Sequence, residues 1–300
     1  MTPHRAILKH MVERQKPPSQ AFLQECVERL RRDQALDNLP LVLLDRALHH
    51  QEFREKLYVV VVRAKGEVQA LAWRGDFPKM GLASATNHDA IVSLAVQVRQ
   101  DMPDLPCILG PKDEVRRFVQ SWLRPGEPMP KLGMPQLIYR LVRVNPHPPV
   151  AGALRSADES DVPLLVVWFS RFIEDVGDAV RQSPQQLEED IRRRMSQDGL
   201  FVWEDQEPVS MVGAAGPPGL VARVGPVYTP PERRRRGYAG AATAAVSQLM
   251  LDRGHPVCCL YTDASNPTSN HIYQEVGYEL VSEVEEYWFT PPAARTEFRN

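Results

Sequence analysis

The stretch Val224-Gly225-Pro226-Val227-Tyr228-Thr229-Pro230-Pro231-Glu232-Arg233-Arg234-Arg235-Arg236-Gly237-Tyr238-Ala239-Gly240 decides the fold. An apolar run ends at Tyr228, two prolines break it, four arginines and a glycine follow, and an alanine-rich segment begins. That order predicts strand, turn, helix. Tyr238, Ala241, Ala242, Ala245, Val246, Leu249 and Met250 recur at helical spacing, so the helix turns one face of mostly small residues toward a sheet. Gly237 stands where the helix starts, which leaves unpaired backbone N–H groups and the positive end of the helix dipole open to an anion. A phosphate suits such a site. A Walker loop is excluded because no Gly-Lys-Ser/Thr follows, and a dinucleotide fold is disfavoured because the neighbouring strands read as antiparallel pairs.

Downstream, a strand over Val257–Tyr261 leads into Asn266-Pro267-x-Ser269-x-x-x-Tyr273-x-x-x-Gly277-Tyr278. Asn266 before Pro267 reads as a helix N-cap with proline at the first helical position. Tyr273 follows seven residues later, two turns on and nearly on the same face. A phenol with an ordinary pKa near ~10 stays protonated at neutral pH and can supply a proton; a packed aromatic is the plain alternative. Gly277 reads as a C-cap. Upstream, Val162–Ile173 has helical spacing, and Ser183-Pro184-Gln185-Gln186 offers a capping box for a helix reaching about Met195 and ended by Gly199. Leu200–Trp203, Val209–Ala214 and Leu220–Tyr228 read as successive strands, and Tyr278–Ser282 and Glu286–Thr290 as two last ones.

These two motifs, in this order and on these elements, resemble the GNAT superfamily of acyl-coenzyme A dependent N-acyltransferases over about residues 151–290. The resemblance implies an α/β fold with a mixed, mostly antiparallel sheet flanked by helices. It implies that Arg234, Gly237 and Ala239 belong to a coenzyme A pyrophosphate loop, and Asn266, Ser269 and Tyr273 to the helix carrying the usual proton donor. Backbone N–H groups from Arg235 to Gly240, including Tyr238, would face the pyrophosphate, with Arg234, Arg235 and Arg236 adding charge. Val227 and Tyr228 would pair with the pantetheine arm. The implied reaction is transfer of an acetyl or short acyl group from acetyl-coenzyme A to a primary amine by direct attack, with Tyr273 as general acid and no metal. The acceptor is a small molecule or peptide. The family often places a glutamate base on the strand corresponding to Leu220–Tyr228, which here holds no carboxylate. The base stays open among Glu174, Asp175, Glu204, Glu286 and a water chain. The missing carboxylate also keeps a non-catalytic acyl-coenzyme A binding or regulatory module as the rival reading. Glu174, Asp175, Asp178, Glu283, Glu285 and Glu286 fall in connections that border the acceptor cleft in the family, which favours a cationic acceptor.

With 300 residues and 43% apolar content, the chain is long enough for two cores. Proline-rich Asn145–Pro149 marks the expected boundary, giving an N-terminal domain over 1–147 and an acyltransferase domain over 148–300 with a mobile tail from Pro291. The first half shows a similar order of elements: helices, a hairpin over Leu57–Arg63 and Glu67–Arg74, then helix and strand. Where the phosphate loop would sit it has Ser84-Ala85-Thr86-Asn87-His88, without glycine or arginine, so it reads as a degenerate copy unable to hold coenzyme A. Residues before Lys16 read as a loosely held start. Cys26, Cys107, Cys258 and Cys259 form no metal or disulfide pattern, which predicts a reducing, cytoplasmic setting. A formal net charge of -2 gives no reason to expect nucleic acid, and no run of about 18 apolar residues supports a membrane span.

Overall fold

The computed structural model describes residues 10–76, 78–176 and 182–290. Two compact units emerge, one of residues 1–135 with 282–300 and one of residues 136–281. In the first, β1 (Met11–Gln15) precedes helices α1 (Gln20–Leu30), α2 (Asn38–His49) and the short α3 (Gln51–Glu55). Strands β2 (Tyr58–Ala64), β3 (Glu67–Arg74) and β4 (Lys79–Leu82) follow, then α4 (His88–Asp101), β5 (Cys107–Pro111), α5 (Lys112–Trp122) and β6 (Lys131–Leu132). The start of the chain is therefore not loose from residue 11 onward. Met11↔Arg63 through Gln15↔Val59 pair antiparallel, and Arg63 holds Glu13 at 2.8 Å.

From β8 onward the second unit follows that order, with two helices where the first has three. It holds β7 (Gln136–Leu141), β8 (Ala153–Ser156), α6 (Val162–Asp175), α7 (Pro184–Ser196), β9 (Leu200–Asp205), β10 (Glu207–Ala215), β11 (Ala222–Tyr228), α8 (Tyr238–Asp252), β12 (Cys258–Asp263) and α9 (Pro267–Val276). Its strands lie in the order β7-β12-β11-β10-β9-β8, antiparallel except for β11 with β12. A mixed, mostly antiparallel sheet flanked by helices is thus the fold class. Leu165, Phe169, Leu187 and Ile191 of α6 and α7 pack with Val202 and Met211 on one face. Ala241, Ala242, Val246 and Met250 of α8 pack with Val212, Val224 and Leu260 on the other. Alternation along the strands sends successive side chains to these two cores. The capping box at Ser183 and Gln186 is formed, and Gly277 caps α9 with φ +111°.

The units divide differently from the expected cut near Pro146–Val150. Strand β7, before that cut, pairs with β12 over Cys258↔Leu141 to Asp263↔Gln136 and so completes the second sheet. One continuous strand, β13 (Glu279–Trp288), replaces the two short runs expected at the end. From Val284 to Trp288 it pairs with β5 and completes the first sheet. Backbone pairing, not position along the chain, decides membership. The tail from Pro291 and Asp178 lie outside the described residues.

Candidate functional site

In the second unit, β11 and β12 pair only at Ala222↔Cys258 and Arg223↔Cys259. Beyond that point they part, so β11 from Val224 to Tyr228 has its backbone free on the β12 side. On its other side β11 bulges against β10: Val212 faces Val227, but Ala214 faces Val224, and Gly225 takes φ +134° in between. A bulge bends its strand and increases the local twist. Val227 is half-buried and packs against the α8 core, while the side chain of Tyr228 lies in the α6–α7 core. The first unit lacks such an opening, because β4 stays with β5 from Lys79↔Cys107 to Gly81↔Leu109. A Cβ on Gly110 would stand 2.5 Å from the Leu82 carbonyl oxygen, so the seam there is shut.

The open seam leads to the arginine loop. Gly237 is the N-cap of α8 in the left-handed region, φ +82°, and Arg235 is left-handed too, φ +63°. The first helical bond runs from Ala241 N–H to the Gly237 carbonyl at 3.0 Å, which leaves the N–H groups of Tyr238, Ala239 and Gly240 without helical acceptors. Together with the dipole they form an anion cradle. The arginines divide the work. Arg233 pairs with Glu207, and Arg234 donates to Asp175 at 2.8 Å and to the Thr229 carbonyl at 2.9 Å, its guanidinium over the Tyr228 ring. Arg234 therefore braces the loop. Arg235 and Arg236 are exposed, and Arg235 has no ion-pair partner among the described residues. Tyr238 contributes its backbone, since its ring is buried and its hydroxyl donates to Asp205 at 2.6 Å, a bond that raises the phenol's pKa.

Helix α9 brings the second motif beside the first. Asn266 Oδ1 accepts from the Ser269 N–H at 3.1 Å, so both serve the N-cap. Tyr273 packs edge-on to Tyr278 at 6.1 Å between centroids, against the α8–α9 core. Burial pushes its phenol up to about 12, and no described side chain hydrogen-bonds its hydroxyl. Such a group keeps its proton at any physiological pH.

Of the candidate bases, Asp175 holds Arg234, Glu204 holds Arg155, and Glu286 holds Lys79 at 2.6 Å, while Glu174 is exposed near the end of α6 with no ion pair among the described residues. Glu283, Glu285 and Glu286 are not residues of a connection. They lie in β13 within the first unit, where Lys112, Arg116 and Lys79 neutralise them. Strand pairing to β5 fixes Glu285 and Glu286 there. Sequence reading missed Val150 and His147, which touch the first turn of α8: a Cβ on Gly237 would lie 3.0 Å from Val150 Cγ2, and one on Gly240 2.8 Å from His147 Nε2. Nothing local to the loop signals residues about ninety positions upstream. Among the described residues no group of three His, Cys, Asp or Glu is placed to hold a metal, and no described helix is long and apolar enough to cross a membrane.

The family model described as FR47-like protein matches residues 207–289, spanning β10 to β13. An acetyltransferase from the GNAT family of Colwellia psychrerythraea superposes with TM-score 0.59 at 10% identity, covering 93% of this chain and 100% of that one. This is the GNAT fold. A GCN5-related N-acetyltransferase from Sphaerobacter thermophilus matches with TM-score 0.63 at 15% identity, over 96% and 98% of the two chains. A tandem GNAT protein from the clavulanic acid biosynthesis pathway matches with TM-score 0.54 at 9% identity, over 95% and 100%. The GNAT fold is thus present in tandem, which accounts for the repeated order of elements. No curated protein matches the chain.

Proposed function

We propose that the second unit transfers an acetyl or short acyl group from acyl-coenzyme A to a primary amine. The observation that carries this reading is the seam between β11 and β12 opening onto the anion cradle of α8. In this reading the free backbone of β11 around Val227 pairs with the pantetheine amides, and the N–H groups of Tyr238, Ala239 and Gly240 take the pyrophosphate, with Arg235 and Arg236 adding charge. The amine nitrogen attacks the thioester carbon, a C–N bond forms and the C–S bond breaks. Tyr273 gives its proton to the departing sulfur. The proton of the attacking amine goes to water in the seam or to Glu174, since β11 carries no carboxylate and Asp175, Glu204 and Glu286 are already ion-paired.

The first unit takes no part in the chemistry. Its seam is shut, and the turn before α4 is filled from within: Asp37 accepts from Ser84 N–H and Oγ, each at 2.8 Å, while Arg29 donates to Asp37 at 2.8 Å. Asp37 thereby occupies the Ser84 N–H that a phosphate at that turn would need.

A second reading, a non-catalytic acyl-coenzyme A binding module, draws on the lack of a carboxylate on β11. Calorimetry with acetyl-coenzyme A tests the binding, and thiol release across a panel of primary amines tests the transfer. Binding with thiol release supports the enzyme; binding without release with any amine supports the module. No binding sinks both.

A further inference from the structure

Residues 143–152 form a strap across the second unit, fixed at both ends. At one end the Asn145 N–H donates to the Val276 carbonyl at 2.9 Å and Asn145 Nδ2 donates to that of Glu275 at 3.3 Å. At the other, Trp203 Nε1 donates to the Ala151 carbonyl at 2.8 Å. Between these anchors the strap crosses the first turn of α8. Val150 stands over Gly237 and His147 over Gly240. Pro146, Pro148 and Pro149 fix φ at three of the intervening positions and stiffen the crossing. His147 Nδ1 lies 2.9 Å from the Pro148 carbonyl, which can only accept, so Nδ1 carries a hydrogen. Nε2 is then the nitrogen turned to α8, 2.8 Å from where a Gly240 Cβ would be, on the turn whose N–H groups lack helical acceptors.

We propose that His147 is a coenzyme-binding residue whose Nε2–H donates to the pyrophosphate of acyl-coenzyme A at the α8 N-terminus. The proposal rests on the coenzyme reading above and adds a contact from outside the arginine loop. Both ring nitrogens donate in this complex, one to the Pro148 carbonyl and one to phosphate. Gly240 has a defined part: it leaves the space in which His147 approaches the helix backbone. The strap thereby makes the coenzyme site a product of two sequence regions, one of them the connection from the first half of the chain.

The test compares wild type with His147→Ala and His147→Gln, using coenzyme A and dephospho-coenzyme A in calorimetry and S-acetylpantetheine as a donor without phosphates. Loss of one charge-assisted contact is expected to raise Kd about tenfold in His147→Ala for both nucleotides and to leave KM for S-acetylpantetheine unchanged. His147→Gln, which keeps a neutral donor, is expected to recover part of the loss. His147 is half-exposed, and melting curves by circular dichroism establish that both variants are folded. An unchanged Kd for coenzyme A in His147→Ala overturns this proposal and leaves the coenzyme reading standing. A loss seen with coenzyme A and absent with dephospho-coenzyme A moves the contact to the 3′-phosphate and overturns the assignment. An equal loss with S-acetylpantetheine marks a general distortion and also overturns it. Failure of the wild type to bind coenzyme A removes this proposal together with the reading beneath it.

Discussion

Gly237 and Val150 stand in direct steric opposition: Val150 Cγ2 is 3.0 Å from the point a Cβ on Gly237 would occupy, and Gly237 has φ +82°. Two separate constraints therefore demand glycine. Gly237→Ala is expected to lose about 1–2 kcal/mol of stability from the left-handed backbone alone, measured by urea unfolding. Adding Val150→Ala relieves the contact and leaves the backbone strain, so the double variant should recover only part of the loss. Full recovery would show that the backbone conformation costs nothing here.

Tyr273→Phe keeps the ring against Tyr278 and removes only the proton. Turnover is expected to fall by about 10²-fold or more while coenzyme affinity stays within about twofold. Stopped thiol-release assays and calorimetry read the two quantities. Because burial holds the phenol at about 12, the residue remains an acid up to high pH, and loss of activity between pH 8 and 10 would have to come from another group. Equal turnover in the variant removes the acid role.

Stoichiometry separates the two units. Titration should give one coenzyme A per chain, because the turn before α4 is occupied by Asp37, Arg29 and Ser84. Burial raises the pKa of Asp37, with Arg29 and Ser84 opposing that shift. Asp37→Ala strands the buried Arg29 charge and is expected to cost about 3–5 kcal/mol, without creating a second site. A measured stoichiometry of two would contradict the closed first seam.

Alkaline pH should destabilise the fold well before the tyrosines titrate. Cys26, Cys107, Cys258 and Cys259 are all buried and free, and burial pushes the thiols up, to about 12 for Cys26, Cys258 and Cys259. Unfolded thiols titrate near about 8.5. A raised folded pKa contributes stability that is complete below the unfolded pKa and is lost as pH climbs toward the folded one. Above pH 8.5 each thiol is therefore expected to remove about 1.4 kcal/mol per pH unit. Urea midpoints at pH 7.5 and 9.5 check this, and Cys258→Ala should flatten the slope by one thiol's share.

Fragments 1–147 and 148–300, cut at the proline patch, each lack a strand of their own unit and carry one belonging to the other. Strand β7 supplies six residues of pairing to β12, and β13 supplies five to β5. Expressed alone, each fragment should aggregate or unfold cooperatively at far lower denaturant, since an unpaired sheet edge is exposed. Mixed during refolding, they should regain the circular dichroism and coenzyme binding of the whole chain. Independent folding of 148–300 with full binding would refute the strand assignment.

Much of the local structure around the candidate site was legible in the sequence because its determinants are local. Gly237 at the strand-to-helix turn, Asn266 before Pro267, the capping box at Ser183 and Gly277 as a C-cap each act within a few residues, and the structure has them in those places. The periodicity of α8 and the apolar runs of β9 to β11 likewise report a helix and strands directly. Reading the terminal runs failed where local polarity misled. Glu283, Glu285 and Glu286 look like a solvated connection in sequence, yet in β13 Lys112, Arg116 and Lys79 pair with them.

The sequence by itself determined the GNAT-like order of elements, the two motifs and the absence of a carboxylate on β11, since each follows from residue type at short spacing. Only the tertiary structure decided that β7 and β13 exchange units, that Asp175 captures Arg234, and that His147 and Val150 cross the start of α8. Those outcomes join residues as far apart as Lys79 and Glu286, 207 positions along the chain. Contacts of that kind depend on which strand edges meet and in what register, and no window of local pattern encodes a meeting between two edges.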